Sequence, residues 1–237
     1  MIVRETKFGA STFNCKSIAE ITEADFIKRL LLDFVWRSRV FNIYRMPAEP
    51  SAFASVDLRG APGNFLGDVD VLLCPRSQPE LATAISVKRI KFGANAIRNG
   101  QPNKLGELKK ATEQANRLAD VGFHLAYSFV FVAIDTREQN AGKKVAFTGL
   151  PVELKQFVHS AVTAQGLNPR IGLYRTEYVQ PMDDEPFSTG SFYGFLVRNA
   201  EPVQQADCLT EWVSQVMLRE TAIEPVKVPL PHSFRTP

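Results

Sequence analysis

Residues 125–134 read Leu-Ala-Tyr-Ser-Phe-Val-Phe-Val-Ala-Ile, a run almost without polar side chains. A run of this length and composition predicts a strand covered on both faces. Immediately before it, Leu105, Leu108, Ala111, Ala115, Leu118 and Ala119 recur at helical spacing over residues 104–119, and Gly122 supplies a stop. A helix leading at once into a buried strand predicts a crossover connection onto a partly parallel sheet. The chain is therefore expected to be α/β.

The flanking elements extend that expectation. Thr22-Glu-Ala-Asp is a capping-box-like start, followed by Phe26, Ile27, Leu30, Leu31, Phe34 and Val35 at helical spacing. Residues 40–45 alternate and predict a strand ending at Pro47, and a Pro/Ala/Ser/Gly segment of about 18 residues then predicts a surface loop. Residues 67–74, closed by Pro75, and residues 82–90, entered after a turn containing Pro79, predict two neighbouring strands. The expected core, about residues 20–135, has the order α-β-β-β-α-β around a central mixed sheet. A helix over 152–165, strands over 171–180 and 192–197, and a helix over 209–221 predict a C-terminal α+β elaboration of about 150–222. A single domain over 1–222 is expected. Four prolines in the fourteen residues from Glu224 onward predict an extended tail over 223–237.

Length matters here because 237 residues, 45% of them apolar, can bury a substantial core. No apolar run reaches the roughly 18–20 residues a bilayer crossing needs, and the N-terminal MIVRETKFGA lacks a signal-peptide core. A cytoplasmic protein without a membrane partner is expected. Cys15, Cys74 and Cys208 are odd in number and widely spaced, which suggests neither a disulfide framework nor a zinc site.

The residues that carry chemistry sit on the two neighbouring strands. Side chains two apart on a strand point the same way, so Asp68 and Asp70 are expected on one face, and Ser86 and Lys88 on one face of the next strand. Carboxylates beside a lysine suit metal-assisted phosphodiester hydrolysis, because carboxylates hold a hard divalent cation and an ammonium offsets phosphate charge. The bland reading is an ordinary ion pair of Asp70 with Lys88 or Arg89 across the strands.

Gly67-Asp68-Val69-Asp70, followed eighteen residues after Asp70 by Ser86-Val87-Lys88 within this element order, resembles the PD-(D/E)xK nuclease superfamily. The resemblance covers about residues 20–135. It implies a metal-binding Asp70, joined by Asp68 as the substitute ligand, a catalytic Lys88, and Mg²⁺ or Mn²⁺ as cofactor. It also implies a Glu on the first helix facing the metal, for which Glu23 is the candidate and Glu20 or Asp33 the reserves. Gln114 matches a helical Gln that contacts site or substrate in some branches. Ser86 stands where the family usually has Asp or Glu, and a neutral hydroxyl is a weak ligand.

Residues 88–110 hold Lys88, Arg89, Lys91, Arg98, Lys104, Lys109 and Lys110 against Glu107 alone. Such a cluster suits a phosphate backbone, with Lys91, Arg98, Lys104 and Lys109 as the expected contacts, or else forms a solvated face. His124, His159 and His232 lack partners at ligand spacing, residues 183–185 read as an exposed acidic turn, and the series Tyr174, Tyr178, Phe187, Phe192, Tyr193 and Phe195 could stack bases but reads more simply as strand core. Two functions follow. One is a divalent-metal-dependent nuclease acting on DNA; the other is a nuclease-like fold that binds nucleic acid, a protein partner or a second copy without catalysis.

Overall fold

Chain order in the computed structural model runs β1 (Thr6–Lys7), α1 (Glu23–Leu32), β2 (Ser51–Asp57), β3 (Asp68–Cys74), a 3-10 turn (Pro79–Leu81), β4 (Thr83–Gly93) and α2 (Leu105–Val121). It continues with β5 (Leu125–Asp135), β6 (Val145–Thr148), α3 (Val152–Ala164), β7 (Gly172–Pro181), β8 (Ser191–Arg198) and α4 (Asp207–Arg219). The structure describes residues 6–7, 22–32, 37, 50–63, 65–93, 104–135, 145–164, 166–181 and 191–225.

The strands form one mixed sheet in the order β1-β8-β7-β6-β5-β4-β3-β2, an α/β architecture as expected. β4 and β5 run parallel over eleven residue pairs, from Thr83↔Leu125 to Gly93↔Asp135. α2 is the crossover between them, and it stops where Gly122 turns left-handed (φ 93°) and its N–H reaches the Ala119 carbonyl at 3.1 Å. β5 also pairs in parallel with β7, and the short β6 fits between their far ends. Gly172 opens β7 where no side chain fits, since a Cβ there would lie 2.1 Å from the Tyr127 ring.

Two apolar layers cover the sheet. One gathers Leu108, Ala115 and Leu118 of α2 with Leu154 and Val158 of α3 and Trp212 and Val216 of α4. The other sets Ile27 and Leu31 of α1 against Val71, Leu73, Ile85 and Val87. Tyr174, Tyr178 and Phe195 are buried, in keeping with their reading as strand core. Among the described residues no helix is long and apolar enough to cross a membrane.

One element overturns an expectation. The segment read as a surface loop contains β2, which pairs antiparallel with β3 from Ser51↔Cys74 to Asp57↔Asp68. Its sequence, Ser-Ala-Phe-Ala-Ser-Val-Asp, is poor in β-branched residues, so pairing rather than propensity makes it a strand. Among the described residues the order from α1 to β5 is α-β-β-β-α-β, with β2 as its first strand. The strand expected over 40–45, the acidic turn at 183–185, Glu20, Asp33, Cys15, His232 and residues 226–237 of the tail lie outside the described residues. The tail's first residues are anchored: the Ile223 N–H donates to the Ala52 carbonyl at 2.8 Å, on the outer edge of β2.

Candidate functional site

β3 and β4 begin as a regular antiparallel pair, Leu73↔Thr83, Leu72↔Ala84 and Val71↔Ile85, and the pairing stops there. Beyond that point β3 stays with β2 as far as Asp68, and β4 stays with β5 as far as Gly93. The two strands splay. Residues two apart in a strand direct their N–H groups to the same side, so Val87 and Arg89 would have donated to β3 had the ladder continued.

Carboxylates take those amides instead. The Val87 N–H donates to Asp70 Oδ2 at 2.7 Å, and the Arg89 N–H donates to Glu23 Oε2 at 2.6 Å. Gln114 Nε2, from α2, donates to the same Asp70 oxygen at 2.9 Å. Lys88 Nζ lies 3.4 Å from Glu23 Oε1, with both side chains a little over a quarter exposed. The ion pair considered for Asp70 is therefore replaced: Lys88 pairs with Glu23 of α1, and Asp70 is held by an amide and a glutamine. Glu23→Ala is expected to leave the Arg89 amide without its acceptor and raise its hydrogen-exchange rate at least tenfold, with the Val87 amide unaffected; amide exchange followed by NMR checks this.

Asp70 is 8% exposed. Burial pushes its carboxyl up to about 7, the nearby charges of Asp68 and Glu23 push the same way, and the Val87 N–H and Lys88 oppose them. Opposite Asp70, Ser55 adopts φ 53°, between the register pairs Ala54↔Val71 and Val56↔Val69. A non-glycine residue in that region costs about 1–2 kcal/mol. The kink turns Val56 into the same apolar layer as Phe53, where simple alternation would turn it away.

A cleft of about 310 Å³ lies beside these groups, lined by Leu58, Leu66, Gly67, Asp68, Lys88, Lys110, Glu113, Gln114, Arg117 and Leu118. Asp68, at the exposed start of β3, and Lys88 thus share it with one flank of α2. The basic residues expected to face the site are arranged differently. Lys91 pairs with Asp135, Lys104 with Glu107 and Lys109 with Glu113, and none of the three lines the cleft; Arg98 lies outside the described residues. Lys110 and Arg117 line it instead, each without an ion-pair partner among the described residues. Helical phase carries the signal for them, because residues four before and three after Gln114 share its flank.

Ser86 is 1% exposed, and its hydroxyl has no hydrogen-bond partner among the described residues. Nor do those residues hold a group of three or more His, Cys, Asp or Glu arranged for a metal ion. The donors to which the sequence points are Asp68 and Asp70, near enough for the charge of Asp68 to act on the Asp70 carboxyl, as that of Glu23 also does. Two carboxylates suit a magnesium-type cation, which keeps several waters and completes its shell with substrate phosphate, rather than an ion that needs a full protein cage.

His124 Nδ1 contacts the Val203 carbonyl at 2.8 Å, and His159 sits against Arg175, so both histidines have structural partners. Together the elements define an α/β protein whose splayed central strands present carboxylates and a lysine beside a cation-walled cleft. No protein-family model matches the chain, and neither curated proteins nor solved structures give a match.

Proposed function

We propose that this chain is a nuclease-like protein that acts on DNA and hydrolyses phosphodiester bonds with a divalent cation, Mg²⁺ or Mn²⁺. The observation that carries the reading is the convergence of Asp70, Lys88, Glu23 and Gln114 where β3 and β4 part, next to a cleft walled by Lys110 and Arg117. It agrees with the likeness of Gly67-Asp68-Val69-Asp70 and Ser86-Val87-Lys88 to the PD-(D/E)xK pattern. A cytoplasmic setting goes with it.

Asp70 and Asp68 would hold the cation. When bound, such a cation supplies polarisation of a phosphoryl oxygen and a more acidic water. Gln114 fixes the Asp70 carboxylate by its hydrogen bond, and the Val87 amide stabilises the ionised form. Lys88 offers an ammonium to the negative charge that gathers on the phosphate, and Glu23 keeps that ammonium at the cleft. Lys110 and Arg117 meet the flanking phosphates.

A second reading is favoured by Ser86, whose neutral hydroxyl stands where a third donor would be: a metal-independent module that binds nucleic acid or a protein partner. Cleavage of labelled DNA with Mg²⁺ and with a chelator separates the two. Mg²⁺-dependent cleavage that falls about 10²-fold or more in Asp70→Ala and in Lys88→Ala, with both variants folded, is the expected result. Undiminished cleavage in both variants would end the nuclease reading, and salt-sensitive binding without cleavage would favour the second.

A further inference from the structure

The cleft has a mixed lining. Lys88, Lys110 and Arg117 line it together with Leu118 and two carboxylates, Asp68 and Glu113, the latter paired with Lys109, and Leu58 and Leu66 line it from the connection between β2 and β3. Leu66 is 77% exposed, and of the four large apolar side chains exposed among the described residues it alone lines the cleft. Its exposure is built in. Phe65, one residue before it, packs on the apolar core, and the Gly67 carbonyl, one residue after it, accepts the Leu58 N–H at 2.9 Å. Gly67 has φ 115°, a conformation that side chains other than glycine's rarely adopt, so the turn that presents Leu66 is specified by sequence.

A lining that sets an exposed apolar side chain beside a small excess of cations matches a single nucleotide, which offers an aromatic face at one end and a phosphate at the other. At about 310 Å³ the cleft is of a size to take one such unit. In a duplex the base faces are covered by their neighbours, so only an unstacked base can lie on Leu66. Resting on the nucleic-acid reading above, we infer that Leu66 and the α2 cations form a subsite for one unstacked nucleotide, which makes single-stranded or frayed DNA the preferred substrate class.

The test is fluorescence anisotropy with the full chain, a labelled oligothymidylate and a duplex of equal length, at low salt and with a chelator present. Leu66→Ala is expected to weaken single-strand binding about fivefold and leave duplex binding unchanged, and Leu66→Trp to bind the single strand at least as tightly as the parent. A paired Lys110→Ala and Arg117→Ala variant is expected to weaken both ligands and flatten the salt dependence by about two counterions. If the cation variant weakens binding while Leu66→Ala affects both ligands equally or neither, the subsite is wrong and the nucleic-acid reading stands. If the parent binds neither oligonucleotide at low salt, both fall.

Discussion

Replacing Asp70 by Asn is expected to stabilise the fold at pH 8, in the presence of a chelator, by on the order of 2–4 kcal/mol while removing Mg²⁺-dependent cleavage. Burial, reinforced by Asp68 and Glu23, raises the carboxyl of the folded chain to about 7 from an ordinary 3.8. Between those values the unfolded chain gives up a proton that the folded chain keeps. The favourable contribution of Asp70 is thus complete below about pH 4 and is lost as pH climbs through 7. Asn carries no charge at any pH, and its single carbonyl oxygen can accept the N–H groups of both Val87 and Gln114. The two proteins should have similar urea midpoints near pH 4 and diverge to a plateau above pH 7, with the variant the more stable. A variant less stable than the parent at pH 8 would mean that Asp70 is not held in a desolvated environment.

The largest loss is expected away from the cleft, in Glu177→Ala. Arg175 and Glu177 share the α3 side of β7, and their side chains are 3% and 4% exposed with Nη2 and Oε1 2.8 Å apart. Glu177 Oε2 also accepts the Leu150 N–H at 3.0 Å, which fixes the chain just ahead of α3, and Lys155 of α3 lies 3.6 Å from Oε1. The Arg175 guanidinium sits over the Phe195 ring at 4.5 Å. Removing Glu177 strands a buried guanidinium and a buried amide, a loss of about 3–5 kcal/mol. Replacing the pair together, Arg175→Met with Glu177→Leu, is expected to recover the part due to the guanidinium, because apolar side chains of similar volume leave no buried charge there, while the Leu150 N–H still lacks its acceptor. Urea denaturation of the single and double variants measures both; a single-variant cost under about 1 kcal/mol would mean that the network does not pin α3.

The same network opposes the pH trend of Asp70. Arg175 has only donors, so His159 Nε2 must accept its N–H, at 2.8 Å. Burial, then Arg175 and Lys155, push His159 down to about 4 from 6.5. The unfolded chain binds that proton first as pH falls, so the contribution of His159 is present above 6.5 and is lost on acidification toward 4. His159→Gln is expected to flatten the acid limb of the stability curve between pH 6.5 and 4. Urea midpoints at the two ends of that window measure the change.

Much of the site was legible in the sequence because its parts obey short-range rules. Reading residues 67–74 and 82–90 as neighbouring strands brought Asp70 and Lys88 together, and the likeness to the PD-(D/E)xK pattern pointed to Gln114, which the structure places on the α2 flank that reaches Asp70. Helical phase around Gln114 reaches Lys110 and Arg117. Charge density alone marks Lys110 only as one of a cluster and does not mark Arg117, while it favours Lys91, Lys104 and Lys109, whose acidic partners Asp135, Glu107 and Glu113 become apparent only in the fold. β2 was illegible for a different reason: an Ala/Ser segment becomes a strand through its partner. The splay of β3 from β4 leaves no local mark at all. It arises from the competing pairings of each strand with β2 and β5, and it decides that Glu23 holds the edge of β4 and Lys88.

The central claim, that Asp70 belongs to a carboxylate pair able to take a hard divalent cation, is tested most directly by carboxyl-carbon NMR titration of Asp70 with and without Mg²⁺. Without the cation the midpoint is expected near 7. Saturating Mg²⁺ binds only the ionised form and is expected to lower the midpoint by at least one pH unit in the parent, and by much less in Asp68→Asn. An Asp70 midpoint that Mg²⁺ leaves unmoved would contradict the claim.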